Sequence, residues 1–271
     1  MSDLAKGKVT ICVINYKTPE LIKLCLRSIR KFTDYPCEVL VIDNNSQDSG
    51  LEYLRSLKWI RLIERDTTSD PNGGYSHAAA LDFGVKNCRT EFFMSLHSDC
   101  FIKKQNWLSE LVSFFADDPR IACVGSGKIE STHPLIQLLK KSTDFKTFKH
   151  KLFGRPDSVG LYRYYNRTIC SLYRTDILRQ ENLSFLMDRD KGLTSGQKLY
   201  FELVDRGYKT VELPAAVMGR YLVHIAHATQ ATNPGEFSLR GKTIRKCNQL
   251  LGKVASSQLF ADIMKSDLLD R

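Results

Sequence analysis

The sequence has no apolar run that reaches the roughly 18 residues a membrane-spanning helix needs. Its first eight residues, Met-Ser-Asp-Leu-Ala-Lys-Gly-Lys, lack the apolar core of a signal peptide. Its eight cysteines include no Cys-x-x-Cys pair, so neither a zinc knuckle nor a dithiol redox motif is indicated. We therefore expect a cytoplasmic protein whose cysteines are mostly reduced thiols.

Acidic residues are fewer than basic ones: 30 Asp and Glu stand against 40 Lys and Arg, a formal net charge of +10. This balance favours anionic partners, although an ordinary solvated surface explains it equally well. Basic and aromatic side chains are interleaved over 128–166, as in some nucleic-acid-binding surfaces. No recognised nucleic-acid module accompanies them, which disfavours nucleic acid. Peripheral contact with anionic lipid, at the inner face of the membrane, stays open.

Short apolar segments alternate with segments of helical periodicity along the first half of the chain. The strand-like segments are 9–14, 38–42, 59–64, 92–101 and 121–125, and the helical ones are 20–32, 51–57, 75–87 and 107–115. Because strands and helices alternate, the order predicts an α/β fold with a parallel sheet. From residue 235 the chain reads as helical, and we expect that part to dock on the domain. An amphipathic arm on another protein or on anionic lipid is the alternative.

One apolar segment, 92–101, rises to a polar tip at His97, Ser98 and Asp99. A carboxylate at the end of a buried strand is carried out of the interior, where burial would be costly, to the mouth of the sheet. Ligands of open α/β sheets bind beyond the carboxyl ends of the strands. Asp99 is therefore the first candidate for the functional centre.

Several short blocks occur in a fixed order along the chain. They are Val-Ile-Asn-Tyr-Lys at 13–17, Leu-Cys-Leu-Arg-Ser-Ile at 24–29, Glu-Val-Leu-Val-Ile-Asp-Asn-Asn-Ser-Gln-Asp-Ser at 38–49, Asn-Gly-Gly at 72–74, Asp99 with Trp-Leu at 107–108, Arg-Gly-Tyr-Lys at 206–209, and His227. Together, from about residue 8 to about residue 230, they resemble the family 2 glycosyltransferases of the GT-A fold, especially the rhamnosyltransferase-like members.

The resemblance implies a fold, a domain plan and an activity. The fold is a Rossmann-like, mostly parallel central sheet flanked by helices, with a C-terminal helical extension. The GT-A domain would cover 1–230, with a nucleotide-binding half over 8–127 and an acceptor half over 128–230, and the extension would cover 231–271. The activity would move a sugar from a nucleoside-diphosphate sugar to a hydroxyl of a glycan or lipid-linked acceptor, as in surface polysaccharide synthesis.

The resemblance also implies a divalent cation, which holds the donor diphosphate and stabilises the leaving nucleoside diphosphate. Asp99 would supply its carboxylate as the last acid of the family's Asp-x-Asp-type motif, and His227 matches the family's late metal-side histidine. Mn²⁺ or Mg²⁺ is the expected ion. If the stretch that carries His224 and His227 is extended, the two side chains face opposite sides and only one should reach the site.

For the donor nucleotide, the resemblance implies that Asp43 accepts a hydrogen bond from the base, in a pocket bordered by Asn15 and Tyr16. The loop that closes over the nucleotide would begin at Asn72 and continue through Gly73. The remaining expected nucleotide-binding residues are His97 and Ser98.

The chain departs from the family pattern at two places. His97 replaces the first acid of the Asp-x-Asp-type motif, although histidine can itself bind Mn²⁺. The Glu-Asp pair that inverting members carry is replaced by Ser195 and Gly196, which cannot act as a base. A general base must lie within hydrogen-bond reach of the acceptor hydroxyl. The nearest acids are Asp188 and Asp190, and we expect Asp190 to be the better candidate.

Two other functions compete with a metal-dependent glycosyltransferase. The missing acid pair admits a divergent or inactive GT-A module that only binds nucleotide. A nucleotidyltransferase on a related sheet would need a Gly-rich loop with Arg or Lys after the first strand. The chain has Asn-Tyr-Lys-Thr-Pro there, at 15–19, which argues against that function.

Overall fold

The computed structural model describes residues 4–127 and 165–271. The strands are β1 (Ala5–Asn15), β2 (Cys37–Asp43), β3 (Ile60–Glu64), β4 (Thr90–His97), β5 (Cys100–Ile102), β6 (Ile121–Ser126), β7 (Cys170–Arg174), β8 (Lys209–Leu213) and β9 (Leu222–His224). Most of the basic, aromatic stretch predicted over 128–166 lies outside the described residues.

The helices are numbered along the described residues. They are α1 (Pro19–Phe32), α2 (Ser49–Ser56), α3 (Gly73–Asn87), α4 (Trp107–Ser113), α5 (Thr175–Gln180), α6 (Ser195–Asp205), α7 (Ala215–Tyr221), α8 (Ala228–Thr232), α9 (Gly241–Ala255) and α10 (Gln258–Lys265). Short 3₁₀ turns cover Phe114–Ala116 and Asp267–Asp270. None of the helices in these two ranges combines the length and the apolar composition needed to cross a membrane.

Seven strands form the central sheet in the order β3-β2-β1-β4-β7-β6-β8. The four strands β3, β2, β1 and β4 are mutually parallel, and β8 is parallel to β6. Only β7 runs antiparallel to its neighbours, β4 and β6. This mostly parallel sheet flanked by helices confirms the predicted fold class.

Apolar side chains cover both faces of the sheet. Along β1, Val9, Ile11 and Val13 belong to one core, and Cys12 and Ile14 belong to the other. Successive strand residues point to opposite faces, so a near-continuous apolar run is what a strand buried on both sides requires. The polar residues that end each strand are therefore placed at the edge of the sheet.

Helix α3 approaches the sheet closely at Gly84. A Cβ at this position would lie 2.7 Å from Cys12 Sγ and 3.2 Å from the Phe93 ring. We expect Gly84→Ala to lower the free energy of unfolding by about 1–3 kcal/mol, because a packed core does not admit an added methyl group. Urea unfolding measures the change, and Gly252→Ala in α9, where a Cβ meets nothing within 4 Å, is the matched control. Equal effects of the two substitutions would contradict the close approach.

The C-terminal helices dock on the domain around Arg27, a residue of α1 whose side chain is fully buried. Its guanidinium donates to Asp267, to both carboxylate oxygens of Asp270 and to the backbone carbonyls of Ile263 and Met264. Side chains of α9 and α10 also belong to the same apolar core as α1. The C-terminal helices therefore dock on the domain and do not project from it as an arm.

Candidate functional site

A cleft of about 550 Å³ lies beyond the carboxyl ends of β1, β2 and β4. Its walls come from residues 14–16, 44, 67–77, 97–99 and 227–237, and its lining residues are Ile14, Tyr16, Asn44, Thr67, Asp70, Asn72, Gly73, Gly74, Ser76, His77, His97, Ser98, Asp99, His227, Thr229, Gln230, Glu236 and Phe237. Cavities of about 300–1,000 Å³ hold small ligands, and this edge of an α/β sheet is where they bind.

The end of β4 positions Asp99 at the base of this cleft. The strand ends at His97, the chain turns through Ser98 and Asp99, and β5 begins at Cys100. β5 pairs antiparallel with β9, with Cys100 opposite His224. The backbone N–H of Ile225 also donates to the backbone carbonyl of Asp99 at 3.0 Å. This pairing brings His224, which the sequence analysis did not select, next to Asp99.

Three side chains form a group that could hold a metal ion: His97, Asp99 and His224. His224 Nε2 lies 3.4 Å and His97 Nδ1 lies 3.7 Å from Asp99 Oδ1, and the three ligand atoms lie within 4.8 Å of one another. Atoms bonded to one ion at about 2.1 Å are separated by about 3.0–3.4 Å in octahedral or tetrahedral sites. The two distances to Asp99 Oδ1, 3.4 and 3.7 Å, are therefore close to those of a metal site.

Buried polar atoms without a partner support this assignment. Among the described residues, Asp99 Oδ1 has no hydrogen-bond partner, and neither do His77 Nε2, His97 Nε2 and His224 Nδ1. Buried polar groups are almost always satisfied in native proteins, so the unpartnered Asp99 Oδ1, which faces His97 Nδ1 and His224 Nε2, is where a ligand is expected. A divalent cation bound to Asp99 would satisfy the oxygen that both histidines approach.

The charge states also suit a cation. Burial is the main influence that lowers the pKa of His97 to about 3 and the pKa of His77 to about 4. Burial alone would raise the pKa of Asp99, but its interactions with His224 and His97 together lower that pKa. At neutral pH Asp99 is therefore ionised and the His97 ring is neutral, the states in which these groups bind metal.

His227, the predicted metal ligand, lines the cleft outside this three-residue group. It adopts a left-handed backbone conformation (φ 67°) just before α8, and its Nδ1 lies 2.8 Å from Gln230 Oε1. The extended segment ends at His224, so strand alternation does not relate the two histidines. A metal-binding role for His227 stays a prediction, and the structure offers His224 in its place.

Five of the seven residues predicted to bind the nucleotide line the cleft. They are Tyr16, Asn72, Gly73, His97 and Ser98. Asn15 and Asp43 lie beneath it and are fully buried. Asn15 Nδ2 donates to Asp43 Oδ1 at 2.7 Å, and the backbone N–H of Ser46 donates to Asp43 Oδ2 at 2.9 Å. Through these hydrogen bonds Asp43 holds the loop after β2 in place. Its contact with the base of a donor nucleotide stays a prediction.

A segment that sequence reasoning missed lies across the mouth of the cleft. Glu236 accepts hydrogen bonds from the Tyr16 hydroxyl and the Lys17 ammonium. The Phe237 ring meets the Tyr16 ring edge-on at 6.3 Å, and it would lie 3.5 Å from a Cβ on Gly73. Residues near 236 thus contact the loop after β1 and the start of α3, both of which line the cleft. No local pattern signals such contacts between distant parts of the chain.

A family model described as "Glycosyl transferase family 2" matches residues 10–180, more than half of the chain. The chain belongs to this family. The O-antigen chain rhamnosyltransferase RfbN of Salmonella typhimurium is 27% identical over 117 residues, which cover 43% of this chain and 36% of that protein. The matched part thus spans about a third of the length of this curated relative.

Solved structures show the same fold. The mannosyltransferase PcManGT of Pyrobaculum calidifontis, in complex with GDP-Man and Mn²⁺, aligns with a TM-score of 0.52 at 16% identity, over 94% of this chain and 78% of its own. TarS 1–349 of S. aureus aligns with a TM-score of 0.50 at 17% identity, over 94% of this chain and 71% of its own. The family model confirms the family 2 assignment made from sequence blocks, and these structures show that the fold is GT-A.

The acids predicted as general bases in this family 2 protein line a different cavity. Asp188 and Asp190 border a second cavity of about 600 Å³, together with Pro71 and Tyr75. A hydrogen bond from the backbone N–H of Lys191 to the Asp188 carboxylate is the main cause that lowers the pKa of Asp188, which makes it a weaker base. The structure does not bring either acid into the cleft of Asp99, and their catalytic role stays a prediction.

Ser195 and Gly196 stand where the sequence analysis expected the acid pair of inverting family members, and Gly196 is closely packed. Ser195 and Gly196 begin α6, and Gly196 is buried against the preceding segment. A Cβ on Gly196 would lie 2.7 Å from the Asn166 carbonyl oxygen and 3.0 Å from the Tyr165 ring. Because no side chain fits at 196, the Gly is required by this close contact.

Proposed function

We propose that this family 2 protein is a metal-dependent glycosyltransferase that moves a sugar from a nucleoside-diphosphate sugar to a hydroxyl acceptor. The observation that carries the proposal is Asp99: a buried carboxylate with an unpartnered oxygen, between two imidazoles, at the base of a cleft of nucleotide-sugar size. Asp99, His97 and His224 would hold the ion. When bound, it would supply positive charge to the leaving diphosphate.

The protein's own residues contribute the rest of the donor site. The N-terminus of α3, at Gly73 and Gly74, faces the cleft, and backbone N–H groups at helix N-termini bind phosphate. Lys17, which pairs with the cleft residue Glu236, is a cation next to Tyr16 that a phosphate group could take as a partner. Asn72 caps α3 by accepting from the Tyr75 N–H at 3.0 Å, which fixes the turn where α3 meets the cleft.

The acceptor is proposed to be a glycan or a lipid-linked glycan in surface polysaccharide synthesis. The matched relative is an O-antigen chain rhamnosyltransferase, which supports this class. The turn at 72–75 separates the donor cleft from the second cavity, so an acceptor lying over that turn could reach both. Asp190 and Asp188 would then be available as bases. Exposed Arg240, Lys242 and Arg245 support contact with anionic headgroups of a membrane.

A panel of UDP, GDP and dTDP, each with and without Mn²⁺, tests the proposal by thermal shift. A ligand that binds only the folded state raises the melting temperature, by an amount that grows with its concentration over its Kd. We expect one nucleoside diphosphate to raise it in Mn²⁺ and to lose most of the effect in EDTA. The matching nucleotide sugar should then release nucleoside diphosphate and label a lipid-linked glycan acceptor. Absence of any shift across the panel would contradict the proposal.

A nucleotide-binding module without transferase activity is the second candidate, favoured by the absence of an acid at Ser195 and Gly196. It predicts the same metal-dependent thermal shift. It differs in that no nucleoside diphosphate is released from any nucleotide sugar, with or without acceptor.

A further inference from the structure

We propose that the site formed by His97, Asp99 and His224 accepts a first-row transition ion such as Mn²⁺ and discriminates against Mg²⁺. The inference rests on the proposed function, since it concerns the same metal site. It goes further because the family pattern, with two acids, leaves both ions acceptable, whereas the side chains present here do not.

The donor atoms are the first argument. Two of the three ligand atoms in the group are imidazole nitrogens, and only one is a carboxylate oxygen. Mg²⁺ prefers oxygen ligands in near-ideal octahedral geometry, whereas imidazole nitrogen suits later first-row ions. Mn²⁺ takes carboxylate and phosphate oxygens and also accepts imidazole, although the later ions of the series bind imidazole nitrogen still more tightly. A mixed nitrogen and oxygen set therefore favours Mn²⁺ over Mg²⁺.

The other acids that line the cleft are already paired. Both carboxylate oxygens of Asp70 accept from Arg65 Nη2, at 3.0 and 2.7 Å. Glu236 accepts from Tyr16 and Lys17. Within the described residues, no second carboxylate is thus free to join Asp99 and make the site rich in oxygen. If Asp70 or Glu236 turned to bind a metal ion, Arg65 or Lys17 would lose its acidic partner.

The three candidate ligands lie on strands or next to them, and these strands are hydrogen-bonded to neighbouring segments. The side chains of His224 and Asp99 are 4% and 8% exposed, and β5 pairs with β9 around them. His97 ends β4, and its backbone N–H donates to the Ile169 carbonyl at 2.9 Å. Because these elements fix the spacing of the nitrogens, the site cannot readily replace imidazole with water to suit Mg²⁺.

Electron paramagnetic resonance of Mn²⁺ tests the selectivity directly, on the full chain and without any nucleotide. Titration gives the Kd for Mn²⁺, and competition with Mg²⁺ gives the second Kd. We expect Mn²⁺ to bind at least about tenfold more tightly than Mg²⁺. Equal affinities, or no Mn²⁺ binding by folded protein, would overturn the inference.

Substitutions identify the ligands in the same titration. His224→Gln should weaken Mn²⁺ binding at least about tenfold, while Asp118→Asn, at an acid outside the cleft that pairs with Arg120 and Lys209, should change it less than twofold. His97→Asp restores the second acid and should lower the ratio of Mg²⁺ to Mn²⁺ dissociation constants at least about tenfold. If His224→Gln fails to fold by circular dichroism, His97→Gln at the more exposed ligand takes its place. Wild-type binding in the folded variants would overturn the ligand assignment.

The two proposals fail in different ways. Selective Mn²⁺ binding without sugar transfer would leave the metal site in place and contradict the proposed function. Sugar transfer that Mg²⁺ supports as well as Mn²⁺ would leave the function in place and overturn the selectivity.

Discussion

Asp99→Asn is expected to lower sugar transfer by at least about 10²–10³-fold, the range seen when one stabilising group of a transition state is removed. Asn keeps the volume of Asp99 but removes the charge that would pair with a bound cation, and it can replace the oxygen that both His97 and His224 approach. The folded structure should survive, because Asp99 Oδ1 makes no hydrogen bond within the described residues. Nucleoside diphosphate release in Mn²⁺ measures the loss.

Asp118→Asn is the matched control for this substitution. Asp118 is an acid outside the cleft, paired with Arg120 and Lys209 at the surface. Its replacement should leave transfer within about twofold of the wild type, since surface ion pairs contribute little. An Asp99→Asn protein that keeps more than a tenth of the wild-type rate would refute the central role of this carboxylate.

Asp270→Asn is expected to lower the free energy of unfolding by about 2–3 kcal/mol, because it removes the main counter-charge of a buried guanidinium. Arg27 is fully buried, and Asp270 pairs with it while also accepting from the Tyr53 hydroxyl at 2.7 Å. Asp267 pairs with the same guanidinium but is 86% exposed. Asp267→Asn should therefore cost less than about 1 kcal/mol. Urea unfolding at pH 7 compares the two variants.

Acid should remove the difference between wild type and Asp270→Asn. Burial alone would raise the pKa of Asp270, but hydrogen bonds from Arg27 and Tyr53 outweigh it and lower that pKa in the folded state. Its stabilising contribution is therefore present above the unfolded-state pKa of about 3.9 and lost as the pH falls through the lower folded value. Urea midpoints that stay equally far apart at pH 7 and pH 3 would contradict this account.

The order of strands and helices was predictable from the sequence because each depends on a local pattern. Short apolar segments predicted β1 to β4, and segments of helical periodicity predicted α1 to α4, within a few residues of their observed bounds. Asp99 was predictable for the same reason, since a polar residue at the end of an apolar strand lies at the sheet edge. The docking of the last helices was only one of two alternatives, because it depends on Arg27, far away in the chain.

The sequence by itself determined the fold class, the family and the carboxylate at the centre of the cleft. The tertiary structure alone decided which histidine stands beside it: the pairing of Cys100 with His224 placed His224 there rather than His227. It also decided that Asp188 and Asp190 border a separate cavity and that Glu236 lies across the donor cleft. Each of these depends on contacts between distant segments, which packing fixes and a local residue pattern does not encode.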